Sequence, residues 1–126
     1  MKLKNGQLHH VELYVSNLAA SVEFWGWLLP ELGYGEYQTW PGGKSWIMDG
    51  TNITLVQVEK EYADRPYHRK QVGLNHLAFA VTAERLKQLK TALQSKSIGL
   101  LYEDQNFDDK LFFEDPDRIK IELANY

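Results

Sequence analysis

Two histidines and one glutamate stand at positions where their side chains could share a metal ion. His10 and His76 each open a short segment of alternating apolar and polar residues, and Glu122 lies in a similar segment further along the chain. Such alternation is typical of a half-buried β-strand, in which every second side chain faces the same way. Two imidazoles and a carboxylate leave coordination positions free for water and substrate, as a catalytic metal centre requires. The residue types therefore predict a divalent-metal site with these three ligands.

The two histidines occupy equivalent positions in an internal repeat. Residues 8–16 can be laid over residues 74–82, which places His10 on His76 at an offset of 66 positions. The same offset, continued without a gap, aligns three further pairs, which are Gly33 with Gly99, Trp46 with Phe112, and Asp49 with Asp115. A constant offset over this length indicates a duplicated structural unit.

Each copy predicts a strand, a helix and then three strands. Apolar stripes predict helices after Ser16 or Asn17 in the first copy and after Thr82 in the second, since these residues can cap a helix. The later strands are expected at 34–40, 44–48 and 51–58, and again at about 100–103, 110–114 and 119–124. We therefore predict an α+β fold in which two tandem βαβββ modules form a curved mixed sheet around a cavity. It is expected to be one domain over residues 1–126, with modules at about 7–60 and 73–126 and a linker at about 61–72.

Composition narrows the classes of partner. The net charge is −3 and there is no basic cluster, so we expect no nucleic-acid partner. Cysteine is absent, which excludes thiolate zinc sites and a cysteine nucleophile. The first seven residues contain no apolar run of signal-peptide or membrane-span length, so we expect a cytoplasmic protein without a membrane partner.

Three strings, LHHVELYVSNL, GLNHLAFAV and FFEDPDRIKIEL, resemble the vicinal oxygen chelate superfamily. That superfamily includes glyoxalase I, extradiol dioxygenases, thiol transferases that inactivate fosfomycin, and bleomycin-binding proteins. The resemblance covers about residues 8–123 and implies a glyoxalase-like fold. It also implies that His10, His76 and Glu122 bind a divalent ion such as zinc, nickel, manganese or iron. Glyoxalase-type members have a second acidic ligand on the fourth strand. The internal register places Val56 there, or Gln57 if there is a one-residue bulge, and neither is a carboxylate.

The resemblance implies a metal-dependent enzyme of lyase, isomerase or group-transfer type, with Glu122 also acting in catalysis. Its substrate would be a small oxygenated molecule whose oxygens chelate the metal. Two alternatives are a metal-free protein that sequesters a drug, as bleomycin-binding relatives do, and an iron-dependent extradiol-type dioxygenase. An exposed sheet edge has unpaired backbone groups that can pair with another chain, so we also expect a homodimer. The site would lie inside one chain or be shared between two. Substrate contacts are expected from other residues that line the cavity of the curved sheet. The candidates are Glu12, Tyr14, Tyr37, Trp46, Gln57, Arg69 and Lys120.

Overall fold

The computed structural model describes residues 2–126, which divide between Pro66 and Tyr67 into two compact units. Each unit is a four-stranded mixed sheet with one α-helix, which confirms the predicted α+β fold of two βαβββ modules. The first unit contains β1 (His10–Val15), α1 (Leu18–Glu31), β2 (Gly35–Trp40), β3 (Gly43–Met48), β4 (Thr51–Gln57) and a 3-10 turn (Lys60–Tyr62). The second contains β5 (Leu77–Ala80), α2 (Ala83–Ser95), β6 (Leu100–Leu101), a 3-10 turn (Glu103–Gln105), β7 (Lys110–Glu114) and β8 (Lys120–Ala124).

The strand order brings the first and last strands of each unit together. The order is β1-β4-β3-β2 in the first sheet and β5-β8-β7-β6 in the second. β1 runs parallel to β4 and β5 runs parallel to β8, whereas the other neighbours are antiparallel. A residue at the start of β5 is therefore a neighbour of β8, although more than forty residues separate them in the chain.

The first unit has its core between α1 and one face of its sheet. Asn17 caps the helix, since its side chain accepts a hydrogen bond from the backbone N–H of Ala20 at 3.1 Å. Gly33 follows the helix with a φ of 100°, a left-handed backbone that favours glycine. The buried side chains of this core include Leu13, Val15, Trp25, Leu28, Leu29, Tyr34, Trp46, Ile53 and Leu55.

The second unit repeats this arrangement with α2. Thr82 caps the helix by accepting from the backbone N–H of Arg85 at 3.1 Å. Leu86, Leu89 and Leu93 of the predicted apolar stripe are buried. They form the core together with side chains from one face of the sheet, which include Leu111, Phe113, Ile121 and Leu123. Across residues 2–126, neither helix combines the length and the apolar character that a bilayer crossing requires.

The pairing registers correct the gapless alignment of the two copies. Glu12 pairs with Thr54 in the first sheet. Ala78, which matches Glu12 in the repeat of the first strands, pairs with Glu122 in the second sheet. Thr54 is therefore the structural equivalent of Glu122. Val56 and Gln57, the two candidates taken from the gapless offset, lie two and three residues beyond Thr54.

The turns explain part of this shift. β3 and β4 are joined by residues 49–50, both with positive φ, as in a two-residue hairpin. In the second unit the backbone N–H of Asp115 donates to the carbonyl of Ile119 at 3.0 Å, which leaves three residues between them. The last of the three, Arg118, has a φ of 65°, the left-handed position that closes a three-residue hairpin turn. The second unit thus has one extra residue in the turn between β7 and β8 and one more before β7. Together they produce the two-residue shift.

Candidate functional site

His76 and Glu122 lie together in the second unit because β5 pairs with β8. His76 immediately precedes β5, and its Nε2 lies 3.0 Å from Oε1 of Glu122. The Glu122 side chain is only 11% exposed and that of His76 is 32% exposed. A largely buried carboxylate requires a partner of positive charge or several hydrogen-bond donors. Two of the three predicted metal ligands thus form a close, partly desolvated pair.

His76 faces an oxygen acceptor at each ring nitrogen. Its Nδ1 lies 2.6 Å from Oδ1 of Asn75, and its Nε2 faces the Glu122 carboxylate. Amide and carboxylate oxygens both accept hydrogen bonds, but a neutral imidazole has only one N–H to donate. With Nδ1–H donated to Asn75, Nε2 presents its lone pair toward Glu122, and these two groups could hold a metal ion together. Metal-binding histidines are oriented in this way by a partner at the other nitrogen.

The second oxygen of Glu122 is held by Tyr126. The Tyr126 hydroxyl donates to Oε2 of Glu122 at 2.9 Å. This hydrogen bond is the main reason that the pKa of Tyr126 is raised, with desolvation and the charge of the carboxylate adding to it. An imidazole nitrogen and a carboxylate oxygen that converge in this way are ligands that suit zinc, nickel, manganese or iron. Among residues 2–126, no cluster of three histidine, cysteine, aspartate or glutamate side chains is arranged to hold a metal ion.

His10, the third predicted ligand, begins β1 in the first unit and has a different environment. Its Nε2 lies 3.1 Å from Oε2 of Glu12, and its Nδ1 lies 2.8 Å from Nδ1 of His9. A neutral His10 satisfies both contacts if it donates from Nε2 and accepts at Nδ1. The His10 and Glu12 side chains are 42% and 56% exposed. Coordination through Nε2 would require Glu12 to move aside or to become a ligand itself.

The face of the first sheet that carries His10 has hydroxyl and amide groups at the place where the second sheet has Glu122. Thr54 is buried, and its hydroxyl donates to Oδ1 of Asn52 at 2.9 Å. Tyr14 shares this face at the end of β1 and is exposed. Val56, beside Tyr14, lines a cavity of about 90 Å³ with it. The position equivalent to Glu122 therefore holds no carboxylate.

Gln57 has a structural role, which corrects the expectation that it contacts substrate. Its Oε1 accepts from the backbone N–H of Leu18 at 2.9 Å, and its Nε2 donates to the carbonyl of Ser16 at 2.9 Å. Both contacts tie the first turn of α1 to the end of β4. The first N–H groups of a helix have no partner within it, which explains why an amide is needed there.

The prediction that Trp46 contacts substrate is wrong. Trp46 pairs with Ile53 and lies on the helix side of the sheet, where it is fully buried. A Cβ on Gly26 of α1 would lie only 3.5 Å from the Trp46 ring, so the indole packs directly on the helix. Tyr37, by contrast, is exposed in β2, inside an irregularity of the β2–β3 pairing.

A basic and aromatic cluster lies on the Glu122 face of the second sheet. Nζ of Lys120 lies 3.3 Å from the Tyr102 hydroxyl, 5.4 Å from the centre of the Tyr102 ring and 5.7 Å from that of Phe112. The pKa of Tyr102 is lowered, mainly by the hydrogen bond with Lys120. The positive charges of Lys120 and Arg69 also lower it, whereas desolvation acts in the opposite direction. Arg69 forms an ion pair with Glu114, whose hydrogen bond raises the pKa of the guanidinium.

The sequence did not reveal three residues around the candidate site, which are Asn75, Tyr126 and Tyr102. The strand predicted at 100–103 would have made Tyr102 an ordinary strand residue, but β6 ends at Leu101 and Tyr102 has a φ of 58°. This left-handed backbone turns the ring toward Phe112, with ring centres 5.3 Å apart. The contact with Lys120 spans 18 residues, and no local pattern in the sequence signals it.

Comparisons with known proteins agree with this architecture. No family model matches the chain. The uncharacterized protein YqjT of Bacillus subtilis is 46% identical over 124 aligned positions, covering 93% of this chain and 97% of YqjT. The crystal structure of a candidate glyoxalase from Bacillus halodurans is 41% identical, with a TM-score of 0.92 and 97% of both chains covered. A glyoxalase/dioxygenase from Nostoc punctiforme, 21% identical, shares the fold with a TM-score of 0.76 over 99% of this chain and 96% of its own. The chain therefore belongs to the glyoxalase, bleomycin resistance and dioxygenase family, the vicinal oxygen chelate superfamily.

Proposed function

We propose that this protein is a divalent-metal-dependent enzyme that acts on a small oxygenated molecule by lyase, isomerase or group-transfer chemistry. His76 and Glu122 supply two ligands from the second unit. His10 supplies the third, either from the same chain or from a second copy in a homodimer. One observation carries the proposal, which is that His76 lies between two oxygen acceptors, so that its Nε2 and the Glu122 carboxylate would both be available to hold a metal ion. Membership of the superfamily supports it.

The residues around the pair would each have a defined task. A bound divalent ion would act as a Lewis acid that stabilises negative charge developing on substrate oxygens. Asn75 keeps the Nδ1–H of His76 engaged, so that the ring binds through Nε2 as a neutral imidazole. Tyr126 holds one oxygen of Glu122 and leaves the other directed at His76. Because protons compete for Nε2, metal affinity is expected to fall as the solution becomes acidic.

Metal uptake by tag-free protein tests the proposal. The chelator-treated chain is dialysed against zinc, nickel, manganese or ferrous iron, and bound metal is measured by elemental analysis. We expect about one equivalent per chain for at least one metal. Even outer contacts of a metal site are worth about 10–100-fold in affinity, so His76→Ala and Glu122→Gln should each weaken binding by at least about tenfold. His68→Ala is the matched control, because His68 lies in the same unit but accepts from the backbone N–H of Lys70.

The outcomes separate the candidate functions. Less than about a tenth of an equivalent of all four metals would refute metal dependence. It would then favour a metal-free protein that binds a small molecule. If the iron-loaded chain consumes oxygen with a catechol under conditions that exclude free iron, the reaction is that of an extradiol-type dioxygenase. Equal metal uptake by the wild-type chain and by both site variants would show that His76 and Glu122 are not the ligands.

A further inference from the structure

We propose that Lys120 and Tyr102 form an oxyanion-binding subsite beside the His76–Glu122 pair. It would hold a carboxylate or phosphate-type group of the substrate. The inference deepens the proposed function, since it names a substrate class for the same site. Binding of the anion itself does not depend on a metal, so the two proposals can fail separately.

Lys120 has unused donors that face the site. It lies two residues before Glu122 in β8, so both side chains project from the same face of the sheet. Its ammonium group contacts the Tyr102 hydroxyl and two aromatic rings, and no carboxylate of residues 2–126 lies within ion-pair distance of it. An ammonium has three N–H donors, of which the contact with Tyr102 engages one. A half-buried lysine with neutral partners only is well suited to bind an anion.

Tyr102 supplies a second donor at the same point. Its hydroxyl lies beside the Lys120 ammonium, and the positive charge of Arg69 also acts on it. The ring is placed by a left-handed backbone, with φ of 58° and ψ of 33°, which a bulky side chain rarely adopts. Such a conformation persists where surrounding contacts impose it, and it is found preferentially at binding sites. Here those contacts are Phe112 and Lys120.

The charges around this point favour an oxyanion over a cation. Glu114 is already engaged by Arg69 and by Arg118, whose Nε lies 3.5 Å from Oε2 of Glu114. Lys120 adds a third cationic group beside Glu114, while the other carboxylate on this face, Glu122, is engaged by His76 and Tyr126. Oxyanions gain most from such donors, because hydrogen bonds between ionised groups are stronger than neutral ones. A ligand with an ammonium group would be repelled.

The subsite lies within reach of the candidate metal ligands. The ring of Phe112 has its centre 6.4 Å from that of His76 and 5.3 Å from that of Tyr102. These two separations limit the distance between the His76 and Tyr102 rings to about 12 Å. One small molecule can therefore hold its anionic group at Lys120 and its reacting oxygens near Glu122.

Anion titration of the chelator-treated full chain tests the inference. Sodium phosphate and sodium propionate are added at constant ionic strength, and the amide NMR signals of Tyr102, Lys120 and Phe112 are followed. We expect saturable shifts at these residues with at least one of the two anions. Lys120→Met should weaken that binding by at least about tenfold, since the ammonium supplies the charge-assisted bonds. Tyr102→Phe, which keeps the ring, should weaken it by about threefold and provides a second variant should Lys120→Met fail to fold.

Lys44→Met is the matched control. Nζ of Lys44 also lies over an aromatic ring, that of Trp46 at 5.8 Å, but it is ion-paired with Glu36 at 3.2 Å. Its loss should leave the anion affinity unchanged. Saturation by phosphate alone identifies a phosphate-type substrate group, and saturation by propionate identifies a carboxylate. Shifts that never saturate, or equal affinities in the wild-type chain and both site variants, would overturn the inference.

Metal uptake is measured on the same samples. If the wild-type chain takes up metal but shows no saturable anion binding, the subsite is wrong and the proposed metal site stands. If it binds the anion with the stated dependence on Lys120 but takes up no metal, the subsite stands and the metal-dependent function fails.

Discussion

Replacing Gln57 separates its structural role from the substrate contact that the sequence suggested. The side chain makes two hydrogen bonds at 2.9 Å, one from the N–H of Leu18 and one to the carbonyl of Ser16. Each net hydrogen bond of this kind contributes about 0.5–1.5 kcal/mol to stability. Gln57→Ala is therefore expected to lower the free energy of unfolding by about 2 kcal/mol. Urea denaturation followed by circular dichroism measures this change.

Gln57→Glu removes only one of the two hydrogen bonds and so measures their separate contributions to stability. The carboxylate still accepts from Leu18, and a negative charge is favourable near a helix N-terminus. It cannot donate to Ser16, so we expect a loss of about 1 kcal/mol, intermediate between wild type and alanine. Metal uptake should be the same in all three chains. A loss below about 0.5 kcal/mol in the alanine variant, or normal stability combined with weakened metal binding, would show that this reasoning is wrong.

Two further substitutions test the first sheet and the candidate site. A Cβ on Gly43 would lie 2.5 Å from the carbonyl oxygen of Leu55, so Gly43→Ala should destabilise the chain by about 1–3 kcal/mol. Gly42→Ala, whose Cβ would meet only ordinary contacts, should change stability far less, and a similar loss in both would contradict the register. Because the carboxylate of Glu122 stabilises the protonated phenol, Glu122→Gln should lower the pKa of Tyr126 toward its ordinary value, as NMR or absorbance titration would show. An unchanged pKa would mean that the hydrogen bond to Glu122 does not form in solution.

Local pattern was enough to predict both helices and most of the strands of the two units. Alternation around His10 and His76 predicted the first strands, and both helices begin at residues with capping side chains, Asn17 and Thr82. These features depend on side chains a few positions apart, which is the range over which helical and strand periodicity act. The pairing of His76 with Glu122 also follows once β5 is placed beside β8. Both strands alternate regularly, so the facing side chains can be identified.

Register could not be predicted by the same means. A single residue inserted in a turn moves every later side chain to the opposite face, while the apolar pattern of each strand remains intact. For this reason the gapless offset matched Trp46 with Phe112, whereas the structure matches it with Phe113. Both Trp46 and Phe113 are fully buried, and Phe112 lies on the site face with Glu122. The deciding quantity is turn length, which a repeat alignment without gaps leaves out.

With the corrected register, the two units differ in their capacity to bind a cation. Thr54 and Asn52 satisfy each other by a hydrogen bond, so the face of the first sheet needs no cation at that position. Glu122, at the equivalent place in the second sheet, is a nearly buried carboxylate that does need one, and His76 is positioned to share it. A buried charge without a partner is far more costly than a buried hydroxyl that is hydrogen-bonded. The groups that could hold a metal ion are thus concentrated in the second unit, and that is where substitutions should change metal affinity most.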